Sequence, residues 1–214
     1  MDKNKLIELF PEFNESEIDK SLILIDFLCK NPNQFSSRSK KLSLDSDEGR
    51  LEIINKFLRA RNKEYKLKEP STVIDPAAEK IMKTTNYSLE ELSNSINKGH
   101  QHYMLAENMV GDLLEDYLAQ KLEPQGWVWC AGEFVRGTDF IKKDGNQYKQ
   151  LQIKNRNNTE NSSSSKIRVG TDINKWWRLN AKTGETNWGN FPEEIDIDST
   201  DEDFLKFVEK KLEE

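Results

Sequence analysis

Three residues, Pro124-Gln125-Gly126, separate two kinds of hydrophobic pattern and so limit what this chain can fold into. Ahead of them apolar residues recur every three or four positions, and Leu105, Met109, Leu113 and Leu114 mark the apolar stripe of a helix predicted over 101–122. Beyond them the period shortens to two. Trp127-Val128-Trp129-Cys130-Ala131 reads as a strand, and Gly137-Thr138-Asp139-Phe140-Ile141 begins a second. Asp144-Gly145-Asn146 is a hairpin signal, and 148–154 is the return strand, with Leu151 and Ile153 inward against Tyr148, Gln150, Gln152 and Lys154. Helix, strand, hairpin in that order excludes an all-helical or all-β fold and predicts an α/β domain.

The first hundred residues carry a helical period throughout. Asn14-x-x-Glu17 is a capping-box start before Ile18, Leu22, Ile25 and Cys29, and Leu51, Ile54, Phe57 and Leu58 mark another amphipathic helix. Asp75-Pro76 places an N-cap before proline at the first helical position, and Ser88-x-x-Glu91 opens a further short helix. The polar stretch 31–45 reads as a loop. This division gives a helical N-terminal region over 1–100, with no chemistry visible in it, and a core over 101–214.

At 214 residues the chain suits one domain with a helical appendage, long enough to bury roughly 70% of its unfolded surface without a staple. Five Trp, ten Phe and five Tyr argue against disorder. No apolar run approaches a membrane span and no signal-like core follows Met1–Lys5, so a cytoplasmic protein is expected. Cys29 and Cys130 are then expected as buried free thiols. The net charge of −6 argues against a nucleic-acid partner until its distribution is considered. From Arg136 to Lys182 eleven Lys or Arg face four acids, a net +7, whereas Glu193 to Glu214 carries ten acids and three lysines, a net −7. A basic stripe inside an acidic chain is a candidate phosphate-binding footprint.

The chemistry centres on Asp139 and Gln152-Ile153-Lys154. A two-residue turn at 144–145 sets Asp139 opposite Gln150, and one at 145–146 sets it opposite Gln152. Either register puts Asp139, Gln152 and Lys154 on one side of the sheet. An acid, a side-chain oxygen and a lysine converging there suit metal-assisted phosphodiester hydrolysis: Mg²⁺ takes hard oxygen ligands, and the lysine positions water or offsets phosphate charge. On the preceding helix Glu107, Gly111 and Glu115 share a face. A mid-helix glycine suggests close packing against a strand. Glu115 is the first choice and Glu107 the second for a helix carboxylate at the metal.

A helix Glu, a strand Asp and a strand (E/Q)-x-K resemble the PD-(D/E)xK nuclease superfamily, with Thr138 where proline is usual and Gln152 where an acid is usual. The run QLQIKNRNNTENSSSSKIR from Gln150 to Arg168, KWWR at 175–178 and TNW at 186–188 look like the SinI-like type II restriction endonucleases. The resemblance covers roughly 101–192. It implies a restriction-endonuclease-like core, a mixed central sheet flanked by helices, and a homodimeric, Mg²⁺-dependent enzyme. Its substrate would be double-stranded DNA at GGWCC-type sites, with a cognate DNA methyltransferase acting on the same site. In that setting Asp139, Glu115 and Gln152 hold Mg²⁺, with the Ile153 carbonyl as a further ligand, and Lys154 orients the nucleophilic water.

The segment after Lys154 is dense in side chains able to read base edges: Asn155, Arg156, Asn157, Asn158, Ser162, Ser163, Ser164, Ser165, Lys166 and Arg168. Lys175 and Arg178 are expected at phosphates, and Trp176-Trp177 in core packing. His100 and His102 lie on different helix faces and receive no role. Two rivals share the core: a structure-selective repair nuclease or junction resolvase, and a DNA-binding module whose centre has decayed, with Gln152 as its motive.

Overall fold

The structure, a computed structural model, describes residues 2–36, 42–71, 75–85, 90–132, 134–157, 173–192 and 195–213. Its helices are α1 (Lys3–Leu9), α2 (Glu15–Lys30), α3 (Asp47–Arg61), α4 (Pro76–Thr85), α5 (Glu90–Leu122) and α6 (Asp201–Glu213). Its strands are β1 (Trp127–Trp129), β2 (Phe140–Asp144), β3 (Gln147–Arg156) and β4 (Ile173–Leu179). They form one sheet in the order β1-β2-β3-β4, antiparallel across the first two pairings and parallel across the last. A mixed α/β domain, as the change of period requires, is the result.

Local signals explain where several elements begin. The Asn14 side chain accepts from the Glu17 N–H and the Glu17 carboxylate accepts from the Asn14 N–H, both at 3.1 Å, closing the capping box of α2. Asp75 accepts from the Ala77 N–H at 2.8 Å ahead of Pro76. The hairpin turns at Gly145-Asn146, with Asp144 paired to Gln147. Gly145 has φ +59° and no non-glycine residue has positive φ among the described residues, the pattern of a type II′ turn.

Helices reach the sheet from both faces. Tyr148 of β3 meets Phe27 of α2 edge-on at 5.2 Å. Trp176, paired with Ile153 and so on the opposite face, contacts Trp188 at 5.1 Å, which in turn meets Tyr117 of α5 at 5.9 Å. Trp176 is buried, as expected of core packing. The same two-sided cover buries Gln152, for which simple alternation predicts an open face; it is only 2% exposed.

Four other expectations change. Ser88 lies outside the described residues, but the helix expected to follow it and the helix over 101–122 are one continuous α5 of 33 residues, Glu90–Leu122, because the apolar stripe marks only the part that packs. The boundary at residue 100 therefore falls inside α5, and one core joins Leu6, Phe27 and Phe57 to Leu118, Phe140 and Phe204. Gly111 is not at a tight approach: a Cβ there would meet nothing within 4 Å. Cys29 is exposed while Cys130 is buried, since the buried face of α2 runs through Ile18, Ser21, Leu24, Ile25 and Leu28, and Cys29 lies off it. The acidic C-terminal stretch, notable in the sequence only for its charge, forms α6, with Asp201, Glu202 and Asp203 in its first turn, where the helix dipole favours acids.

The N-terminal helices are tied to the α5–β1 junction by an ion cluster. Glu123 lies 2.6 Å from both Lys20 and Arg61, with side-chain exposures of 13, 20 and 10%. Arg61 also donates to the Trp129 carbonyl at 3.3 Å. Removing the shared acid strands two largely buried cations, so Glu123→Ala should cost about 3 kcal/mol. Thermal unfolding should then show Tm lowered by roughly 6–12 °C; a shift below about 2 °C would mean the cluster is already solvated.

Candidate active site

Asp139 lies just before β2, at an irregularity. The pairing Phe140↔Leu151 places Asp139 opposite Gln152. Yet the Asp139 N–H donates to the Leu151 carbonyl at 2.9 Å, and its own carbonyl accepts from Cys130 N–H at 2.8 Å. Two residues of this strand thus face one of its neighbour, as in a β-bulge, which re-aims a side chain. The Asp139 carboxylate oxygen Oδ2 accepts from the Ile153 N–H at 2.6 Å. The bulge adds what the register alone does not give: Asp139 is anchored to the β3 backbone by its Oδ2.

Glu115 comes to the same place from the last third of α5. Its Oε2 accepts from the Trp129 indole N–H at 2.9 Å. Burial pushes the Glu115 carboxyl well above the usual carboxylate range, and the neighbouring Asp139 charge adds to this; the Trp129 hydrogen bond and Lys154 oppose it. Burial likewise raises Asp139, against the pull of Lys154 and the Ile153 N–H. The buried Cys130 thiol is pushed up by burial and then by these two carboxylates. Two acids, each fixed through one oxygen and each disfavoured as an anion, therefore lie close to each other and to one lysine.

Two carboxylates side by side have the chemistry to hold a cation. Among the described residues no three His, Cys, Asp or Glu side chains gather as a metal-holding group. A cation held here would take two carboxylates and complete its shell from neutral oxygens. The Gln152 amide and the Ile153 carbonyl are the nearest in sequence, and a hard divalent ion that retains water fits that donor set.

Glu107 is placed elsewhere. Two turns earlier on α5, about 12 Å along the axis, it forms an ion pair with Arg156 at 2.9 Å, and Arg156 also donates to the Tyr103 hydroxyl at 3.1 Å. Of the two helix acids it is Glu115 that meets Asp139.

The proposed DNA-contacting residues divide. Arg178 faces inward, contrary to a phosphate role. It is 8% exposed, 2.6 Å from Asp201 of α6, 3.0 Å from the Asn155 side-chain oxygen, and stacked over Phe204. A buried cation on β4, the last strand of the sheet, lying under α6 needs such partners. Asn155 is thus engaged, and the Asn157 side chain accepts from the Ala181 N–H at 3.0 Å, bridging the ends of β3 and β4. Lys175 is half-buried and paired in register with Gln152. Asn158, Ser162, Ser163, Ser164, Ser165, Lys166 and Arg168 lie outside the described residues. Sequence reasoning missed Trp129, whose indole holds Glu115; the strand pattern showed it only as apolar.

An acid from α5, a bulge-borne acid and a lysine of β3 thus come together beside a mixed sheet flanked by helices. Residues 9–214 match the family model described as SinI restriction endonuclease, and the chain belongs to that family. It is 41% identical over 217 residues to the type II restriction enzyme SinI of Salmonella infantis, covering 98% of this chain and 92% of that one. It is 40% identical over 215 residues to the type II restriction enzyme Eco47I of Escherichia coli, with the same coverage. No helix among the described residues is long and apolar enough to cross a membrane.

Proposed function

We propose that this protein is a type II restriction endonuclease that cuts both strands of DNA at a GGWCC-type site by Mg²⁺-dependent phosphodiester hydrolysis, on a PD-(D/E)xK-type core. The observation that carries the reading is the pair of mutually repelling carboxylates, Glu115 and Asp139, beside Lys154. Membership of the SinI family supports the reaction class. The site residues are Asp139, Glu115, Gln152 and Lys154, with the Ile153 carbonyl; Glu107 serves Arg156 instead.

A bound Mg²⁺ would supply positive charge at the scissile phosphate and acidify a coordinated water. The chain's own residues do the rest. Trp129 and the Ile153 N–H each take one oxygen of Glu115 and Asp139, so both carboxylates are oriented before any cation arrives. Lys154, half-buried, offsets charge on the phosphate where screening by water is reduced. The enzyme acts as a homodimer, each protomer cutting one strand of a near-palindromic site, and a methyltransferase of the same specificity protects host DNA.

Digestion of a plasmid of known sequence, followed by sequencing of the ends, tests this reading. Discrete fragments ending at GGWCC sites in Mg²⁺ are expected; random ends or intact plasmid would overturn it. Ca²⁺ in place of Mg²⁺ should permit specific binding with little cleavage, because its longer, looser bonds bridge protein and phosphate without placing the water.

Arg156 is the described residue best placed to read a base, at the end of β3 and already held by Glu107 and Tyr103. Arg156→Ala should cost about 1–3 kcal/mol of discrimination between cognate and scrambled duplexes. A residue touching phosphate alone would weaken both duplexes equally and lower the salt slope by roughly one unit. Binding titrations across a salt series separate the two outcomes, and Arg168→Ala is expected to behave as Arg156→Ala does.

A further inference from the structure

We propose that Gln34, at the end of the 3-10 turn Pro32–Gln34 that follows α2, is a positioning residue for the Asp139 carboxylate and acts through the hydroxyl of Thr138; this rests on the nuclease reading above. The N-terminal region then takes part in the active site rather than serving as an appendage.

Residues 34–36 run alongside 134–136. The Arg136 N–H donates to the Gln34 carbonyl at 2.8 Å, the Ser36 N–H donates to the Phe134 carbonyl at 2.7 Å, and Phe35 bridges Val135 in antiparallel fashion. This brings the Gln34 side chain to the strand that carries Asp139. Its amide nitrogen donates to Gln150 Oε1 at 2.7 Å, to Thr138 Oγ1 at 3.2 Å and, more weakly, to the Arg136 carbonyl at 3.4 Å. Thr138 Oγ1 in turn donates to Gln150 Oε1 at 2.8 Å. Gln34 and Thr138 are 7 and 2% exposed, so water does not replace these bonds if they are lost.

The triangle straddles the bulge. Thr138 is the residue before Asp139, and Gln150 precedes Leu151, whose carbonyl takes the out-of-register Asp139 N–H. A bulge is a local break in the ladder, and its exact placement needs fixing from both strands. The Thr138–Gln150 bond fixes it across the strands, and Gln34 locks that bond from outside the sheet. If the triangle opens, Asp139 has freedom to slide toward regular pairing and loses its aim, although no residue of the triangle need touch DNA.

The test compares Thr138→Val, which keeps shape but loses the hydroxyl, Thr138→Ser, which keeps the hydroxyl, and Gln34→Leu. Two readouts are taken: single-turnover cleavage of a site-bearing duplex in Mg²⁺, and backbone hydrogen exchange of peptides covering 138–141 and 150–153 in metal-free protein. Thr138→Val and Gln34→Leu should cleave roughly 10²-fold more slowly, the cost of a small misplacement. They should also exchange faster over those two peptides, with metal-free DNA affinity unchanged, while Thr138→Ser stays near wild type in both readouts. Wild-type exchange and cleavage in Thr138→Val, or equal losses in Val and Ser, would overturn the proposal. Should Thr138→Val fail to fold, Gln34→Leu, outside the four strands, opens the same triangle and is measured by the same two readouts. If the wild-type protein leaves plain duplex uncut, the nuclease reading fails, while the exchange readout still decides whether the triangle holds the bulge.

Discussion

Lys154→Ala should lower single-turnover cleavage by about 10²–10³-fold, the usual loss when a positioned charge-stabilising group is removed from a water-poor site. The protein should stay folded, because Lys154 is half-buried and not part of the main core. Asp139→Asn should lose at least as much, since the amide keeps an oxygen for the Ile153 N–H but forfeits the charge a cation needs. Circular dichroism and thermal unfolding verify folding; quenched-flow or gel kinetics with excess enzyme give the rate. Wild-type cleavage by either folded variant would remove that residue from the site.

Glu115→Gln should move activity and stability in opposite directions. Cleavage should fall by about 10²–10³-fold, whereas the metal-free protein should become more stable at neutral pH. The sign follows from linkage. The folded-state Glu115 carboxyl is raised by burial and by Asp139, so above the unfolded-state value the native chain holds a proton that the unfolded chain has lost. Stability therefore declines as pH rises from the unfolded-state value through the raised folded-state one. In EDTA the wild type should lose more stability than Glu115→Gln between pH 5 and pH 8, and Mg²⁺ should raise the wild-type Tm with little effect on the variant. Parallel pH profiles for the two proteins would show that Glu115 is not under that strain. The two acids would thus be kept at a cost in stability that only a bound cation relieves.

Part of this site is written in short stretches of sequence. The helical period before Pro124, the period of two after it, and the turn at Gly145-Asn146 place Asp139 and Gln152-Ile153-Lys154 on neighbouring strands. Helical phase brings Glu115 to the working face of α5. The Asn14 capping box and the Asp75 cap start their helices where the residues say. These features depend on hydrogen bonds and packing between residues a few positions apart, so a local pattern suffices to specify them.

What the tertiary structure alone decided is which of those residues face what. The bulge that aims Asp139 at the Ile153 N–H lies next to Thr138, whose hydroxyl accepts from Gln34, more than a hundred residues earlier. Gln152 is buried because helices cover both faces of its strand, and Arg178 turns inward because Asp201 of α6 lies over it. Glu107 is taken by Arg156, which leaves Glu115 as the helix acid beside Asp139. Each of these follows from desolvating a polar group that then requires a partner, and the partner arrives from a distant part of the chain. Local periodicity carries no information about such distant partners, so it could name the candidate residues but could not set their orientation.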